Sequence, residues 1–195
     1  MIRVYVFLLF AASVYGHGGR ILNGSTAAVG QFPYQVSLRD KPNRHFCGAW
    51  DPQNIANDIA VVKLKEPIAL GGNVQKIELE ANEINDGLSG VISGWGLTSI
   101  NGNHATNLQF LSTTIINHEE CKILQLPQYM DFVKEFNICG TNQFGYGVCN
   151  EDSGGPLVVN GKQVGVVSWS DECGGGRGDI YAKVSYYINW INDSI

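Results

Sequence analysis

Cys149-Asn150-Glu151-Asp152-Ser153-Gly154-Gly155-Pro156-Leu157 is the stretch on which the reading of this chain turns. A serine between an aspartate and two glycines has a bare backbone around its hydroxyl. That leaves room for a carbonyl to approach and for amide N–H groups to point at its oxygen. The tetrapeptide Asp-Ser-Gly-Gly is by itself an ordinary turn, so its weight comes from what surrounds it. Immediately downstream, Leu157 to Val159 and Gln163 to Trp169 flank Asn160-Gly161, two residues that accept positive φ, which predicts a β-hairpin.

Further out, Ile59 to Leu64, Val91 to Ser93, Gln109 to Ile116 and Ile180 to Val184 read as short β-rich runs between turn signals. Many short strands at this spacing predict an all-β barrel or sandwich. Tyr186 to Ile195 departs from the pattern: Tyr187, Trp190 and Ile191 share one helical face, which predicts a short C-terminal helix.

The composition agrees, with 44% hydrophobic residues, 16% charged residues and 24 glycines among 195 residues. This describes a turn-rich chain with a sizeable core, not a disordered one. Residues 1–16 read as a secretory signal, with Arg3 as the positive start, Val4 to Ala12 as the apolar run and Val14-Tyr15-Gly16 as the cleavage site. The run is too short to span a bilayer. Loss of residues 1–20 takes Arg3 and Arg20 from the 13 basic residues, leaving 11 against 18 acidic and a net charge of −7. Such a surface argues against nucleic acid and anionic membranes as partners. Secretion makes disulfides the expected state of the five cysteines, with one left over.

Taken in order, Arg20-Ile21, His45-Phe46-Cys47-Gly48, Asn57-Asp58-Ile59-Ala60, Gly94-Trp95-Gly96, Asp152-Ser153-Gly154-Gly155-Pro156 and Ser168-Trp169 resemble the trypsin/chymotrypsin-like serine protease family. The resemblance covers nearly all of residues 20–195 and is nearest in character to arthropod chymotrypsin-like and collagenolytic members. It implies an all-β, two-barrel fold with a short C-terminal helix. It further implies a secreted endopeptidase that hydrolyses peptide bonds through an acyl-enzyme on Ser153, acts as a monomer on protein or peptide substrates and needs no cofactor; the family's calcium loop falls in a region that this chain lacks, so no metal is expected. Residues 17–20 become an activation segment, cut after Arg20 by a trypsin-like protease. The freed Ile21 amine then pairs with Asp152, since a buried carboxylate needs a partner charge. Cys121 is expected to pair with Cys139 and Cys149 with Cys173, each closing a short loop worth ~3 kcal/mol. Cys47 is the orphan.

By the same resemblance Ser153 is the nucleophile, Asp58 orients the catalytic histidine, and the N–H groups of Glu151 and Ser153 form the oxyanion hole. Gly147, Ser168, Trp169, Ser170 and Asp179 shape the substrate pocket. The family's histidine lies in a Thr-Ala-Ala-His-Cys segment between the Cys47 and Asp58 motifs, and here only ten residues separate Cys47 from Asp58. One deletion at Trp50-Asp51 accounts for both the missing histidine and the unpaired Cys47. None of His17, His45, His104 or His118 stands where the base belongs. The expected domain at 21–195 therefore has an incomplete first barrel over 21–70 and a second barrel over about 85–195.

Two departures bear on chemistry. Glu151 stands where the family has glycine, bringing a Cβ and a negative charge to the oxyanion hole. Gly147 replaces the aspartate of trypsin-like members, which points away from simple trypsin specificity and toward chymotrypsin/elastase-like or broad specificity, with Asp179 as a relocated carboxylate. Asn23-Gly24-Ser25 and Asn192-Asp193-Ser194 are glycosylation sequons. Three readings remain open: a secreted endopeptidase whose sequence lacks a segment, a non-catalytic homologue with a binding or regulatory role, and a degraded, non-functional product, against which the intact Asp58, Asp152, Ser153 and activation junction count.

Overall fold

The computed structural model describes residues 21–35, 55–99, 102 and 105–194. Arg20, Cys47, three of the four histidines (His17, His45 and His104) and the Trp50-Asp51 junction lie outside them.

The described chain is mostly β. Six antiparallel strands close on themselves: β3 (Ser89–Gly94), β4 (Gln109–Ile116), β5 (Asn137–Thr141), β8 (Asp179–Lys183), β7 (Lys162–Trp169) and β6 (Pro156–Val159), with β6 returning to β3. Closure leaves these strands no free edges along the barrel, which removes the pairing hazard of an open sheet. Two short strands add to it: β1 (Ser25–Thr26) on the start of β4, and β2 (Glu78–Leu79) parallel to the start of β7. The Asn160-Gly161 turn joins β6 to β7, with φ of 50° and 77°, as the hairpin reading expects.

The barrel is filled by Ile92, Ile115, Ile138, Leu157, Val164 and Tyr181, joined from outside the strands by Ile21 and Val148. Truncating one such buried residue to alanine costs ~2–5 kcal/mol. A second apolar layer lies under the C-terminal helix α2 (Val184–Ser194), where Val184, Tyr187 and Ile191 meet Val166 and Ala182. The sequence places Trp190 on that face, but it is 44% exposed. The spacing 184, 187, 191 already covers the sheet, and Trp190 stacks edge-on against Tyr187 instead.

Helix α1 (His118–Leu124) and a 3₁₀ turn at Met130–Phe132 go beyond the sequence reading. The Oδ1 of Asn117 caps α1 by accepting the Glu120 N–H, and a disulfide from Cys121 to Cys139 ties it to β5. The other disulfide joins Cys149 to Cys173.

Residues 55–88 differ from the barrel, because none of them is buried. The expected strand from Ile59 to Leu64 does not form. A strand needs a partner ladder, and among the described residues this run has none.

Candidate active site

The loop before β6 is fixed by its own backbone. The Asp152 N–H donates to the Cys149 carbonyl at 3.0 Å and the Gly155 N–H to the Asp152 carbonyl at 2.9 Å. Gly154 and Gly155 exchange bonds with Val167 of β7, locking the serine loop onto the barrel. The Asp152 carboxylate turns inward, 2% exposed, and accepts the N–H of Gly96 at 2.9 Å and of Cys149 at 3.1 Å. Gly94 and Gly96 make this fit: a Cβ on either would lie 2.2 Å from Asp152 Oδ1 or 2.5 Å from its Cγ. Burial pushes the Asp152 carboxyl up to about 7, against the pull of its two N–H donors.

Ser153 is half-buried on the wall of a cavity of about 360 Å³. Ser168, Trp169, Ser170, Asp171 and Glu172 line the same space. A bulge presents Ser168: two β7 positions, Val167 and Trp169, register against adjacent Tyr181 and Ile180 of β8, leaving Ser168 as the extra residue. Its hydroxyl donates to Asp58 Oδ2 at 2.8 Å. Burial raises the Asp58 carboxyl and the Ser168 bond lowers it, with burial the larger. The Asn57 Oδ1 accepts from the Tyr187 hydroxyl at 3.2 Å, so the Asn57-Asp58 segment is tied to α2 as well as to β7. Glu151, beside the serine, holds a φ of 71°.

Gly147 and Asp179 meet each other, with a Cβ on Gly147 falling 2.9 Å from Asp179 Oδ2. Asp179 is 6% exposed and accepts the Val148 N–H at 3.1 Å. Burial first, then the nearby Asp152 and Asp171 charges, push its carboxyl up to about 7. Neither Gly147 nor Asp179 lines the cavity; they lie behind Val148, which does.

Ile21 and Leu22 are docked against this region. Ile21 is 1% exposed, Leu22 bridges to Gly147, and the Asn23 side chain donates to the Gly145 carbonyl. His118 stands apart, lining a separate cavity with Asn117, Glu83 and Lys183. Burial lowers its proton affinity first, and Lys122 adds to that. Among the described residues no group of three His, Cys, Asp or Glu side chains could hold a metal ion, and no helix is long and apolar enough to cross a membrane.

Sequence reasoning missed Asp171 and Glu172 on the cavity wall, and Arg177, which pairs with both. It also missed the aromatic contact of Tyr129 with Trp169, whose ring centroids lie 6.3 Å apart.

The Trypsin family model matches residues 49–191. Chymotrypsin-2 of Vespa crabro is 28% identical over 220 aligned positions, which take in 88% of this chain and 98% of the relative. Trypsin-3 of Homo sapiens is 34% identical over 227 positions, covering 90% and 73%. Trypsin eta of Drosophila melanogaster is 35% identical over 146 positions, covering 73% of this chain and 55% of that relative. The chain thus spans about half of trypsin eta and nearly all of chymotrypsin-2. Among solved structures, neuropsin, a serine protease expressed in the limbic system of mouse brain, superimposes with a TM-score of 0.68 at 28% identity. That match covers 74% of this chain and 64% of neuropsin.

Proposed function

Because this chain belongs to the Trypsin family, we propose that it is a secreted serine endopeptidase in which Ser153 is the nucleophile and Asp58 orients the histidine base. The observation that carries the reading is the Asp58–Ser168 hydrogen bond. It spans 110 residues of chain and brings the Asp58 carboxylate to a serine on the same cavity wall as Ser153.

In this mechanism Ser153 Oγ attacks the peptide carbonyl carbon while its proton passes to a histidine held by Asp58. The N–H groups of Glu151 and Ser153 stabilise the resulting oxyanion. Collapse releases the amine, which takes the proton, and water then hydrolyses the acyl-enzyme by the same steps. Hydrolysis of the Arg20–Ile21 bond frees the Ile21 amine, which takes up a proton and becomes the ammonium partner of Asp152. The burial of Ile21 and the raised Asp152 carboxyl support that step.

The histidine is the missing part. Without a base Ser153 keeps its weak intrinsic nucleophilicity, and the chain as written has little or no activity. Alignment lengths of 220 and 227 positions, both exceeding the 195 residues of this chain, support the reading that relatives carry a segment it lacks. Residues 21–70 are then an incomplete first barrel beside a complete second one, in line with the absence of burial over 55–88.

The pocket reading is broad or chymotrypsin/elastase-like. Gly147 brings no charge, and the buried Asp179 carboxylate is engaged by the Val148 N–H and does not line the cavity. The second reading, a non-catalytic homologue, is favoured by one observation: the one described histidine, His118, lines a different cavity.

The test is hydrolysis of a protein substrate by the Arg20-cleaved product secreted from its source tissue, beside a recombinant Ser153→Ala form. Activity lost on that substitution supports the endopeptidase. Intact, folded and inert native protein supports the homologue.

A further inference from the structure

The cavity wall carries two carboxylates, Asp171 and Glu172, and no basic residue lines the space among the described residues. Yet the wall is not left uncompensated. The Arg177 guanidinium donates from Nε to Asp171 and from Nη2 to Glu172, the latter at 3.0 Å. Asp171 is 1% exposed at its side chain, whereas Arg177 and Glu172 are 29% and 48% exposed. The cation thus sits outside the cavity and reaches inward to a buried anion.

The chain that carries Arg177 has little stiffness of its own. Gly174, Gly176 and Gly178 hold φ of 59°, 73° and 93°, conformations that leave the segment dependent on outside anchors. Gln125, at the end of α1, supplies one by donating to the Arg177 carbonyl at 2.7 Å. The Gly145 N–H donates to the Gly174 carbonyl at 2.7 Å, and the Cys149–Cys173 disulfide fixes the other end. Arg177 is therefore held in place by its backbone while its side chain spans two successive wall residues.

We propose that Arg177 is a specificity-determining residue: it neutralises Asp171 and Glu172 from behind, so that the cavity receives apolar side chains in preference to cationic ones. This rests on the reading of the cavity as the substrate pocket. Removal of the guanidinium leaves a buried carboxylate without its partner, a costly state that a ligand cation relieves. An incoming amidinium or guanidinium then supplies from the cavity side the charge that Arg177 supplies from behind in the native chain.

The test compares binding of benzamidine, a cation, with benzamide, its neutral counterpart, to the disulfide-intact chain by calorimetry. The ratio of the two affinities cancels any general loosening of the pocket. Arg177→Gln raises the benzamidine-to-benzamide ratio by about fivefold, and the gain shrinks as salt is added. Arg177→Lys, which keeps the charge, restores the native ratio. Asp171→Asn on the Arg177→Gln background removes the gain. Glu172→Gln, at an exposed position that tolerates change, lowers the ratio by about twofold and keeps the proposal testable if Arg177→Gln does not fold. An unchanged ratio in Arg177→Gln and in Glu172→Gln, with both ligands still binding, overturns the role of Arg177 and leaves the pocket reading intact. Failure of both ligands to bind any form overturns the pocket reading and this inference together.

Discussion

Asp58 Oδ2 accepts a 2.8 Å hydrogen bond from Ser168 Oγ, joining a segment with no buried residue to a strand of the closed barrel. The bond holds the carboxylate beside the cavity where Ser153 stands, and it opposes the rise that burial imposes on the Asp58 carboxyl. Ser168→Ala removes that opposition. The Asp58 carboxyl then titrates at higher pH, followed by NMR, and the protein loses about 1–3 kcal/mol in urea unfolding. An unmoved Asp58 titration contradicts the geometry.

Gly96 is tightly boxed in. A Cβ there would lie 2.5–2.7 Å from the Asp152 carboxyl and from the Asn150 carbonyl oxygen. Gly96→Ala is expected to cost about 3 kcal/mol, since neither the buried carboxyl nor the backbone can move aside. Gly87→Ala meets nothing within 4 Å and pays only for its φ of 76°, about 1 kcal/mol. Paired denaturation curves measure the difference.

Asp152 links stability to pH. Its carboxyl rises from 3.8 to about 7 on burial, so between those values the native chain binds more protons than the unfolded one. Stability of the uncleaved protein therefore falls as pH rises from about 4 to 7, by on the order of 4 kcal/mol for this group. Asp179 acts in the same direction. Asp152→Asn flattens the slope. Cleavage after Arg20 does so too, because the new ammonium ion stabilises the charged form. Equal slopes before and after cleavage, from thermal melts across this range, contradict the pairing of Ile21 with Asp152.

Glu151 holds the left-handed conformation, which costs a residue with a Cβ about 1–2 kcal/mol. Glu151→Gly relieves that strain, and urea unfolding reads the relief less the greater freedom of unfolded glycine and the contacts that Glu151 makes. A destabilised variant in urea unfolding means that Glu151 makes a compensating contact worth more than its strain.

Much of the barrel was legible because its strands follow local rules. Gln109 to Ile116 appears as an uninterrupted β-rich run and forms one strand, and Asn160-Gly161 forms the expected turn. Asn137–Thr141 carries no comparable pattern, and its place comes from pairing with two neighbours and a disulfide. Helix α1 is only seven residues long, too short for periodicity, although Asn117 followed by Glu120 was a readable start signal. At the site, the motifs singled out Ser153 and Asp58, and the structure puts Ser153 on the cavity wall and Asp58 against Ser168 of that wall. The Asp171–Arg177 and Glu172–Arg177 pairs were not, since a loop imposes no spacing that predicts which charges meet. Ile59 to Leu64 looked like a strand because propensity is local, whereas a ladder requires a partner.

The central claim is that the peptidase requires a histidine-bearing segment between Trp50 and Asp51, a position that lies outside the described residues. Sequencing the transcript across those two codons in the source tissue tests it most directly. The account predicts an inserted segment that supplies one histidine and one cysteine together, giving Asp58 its base and Cys47 its partner. A transcript that reads directly from Trp50 to Asp51 contradicts it and leaves a homologue without the means to activate Ser153.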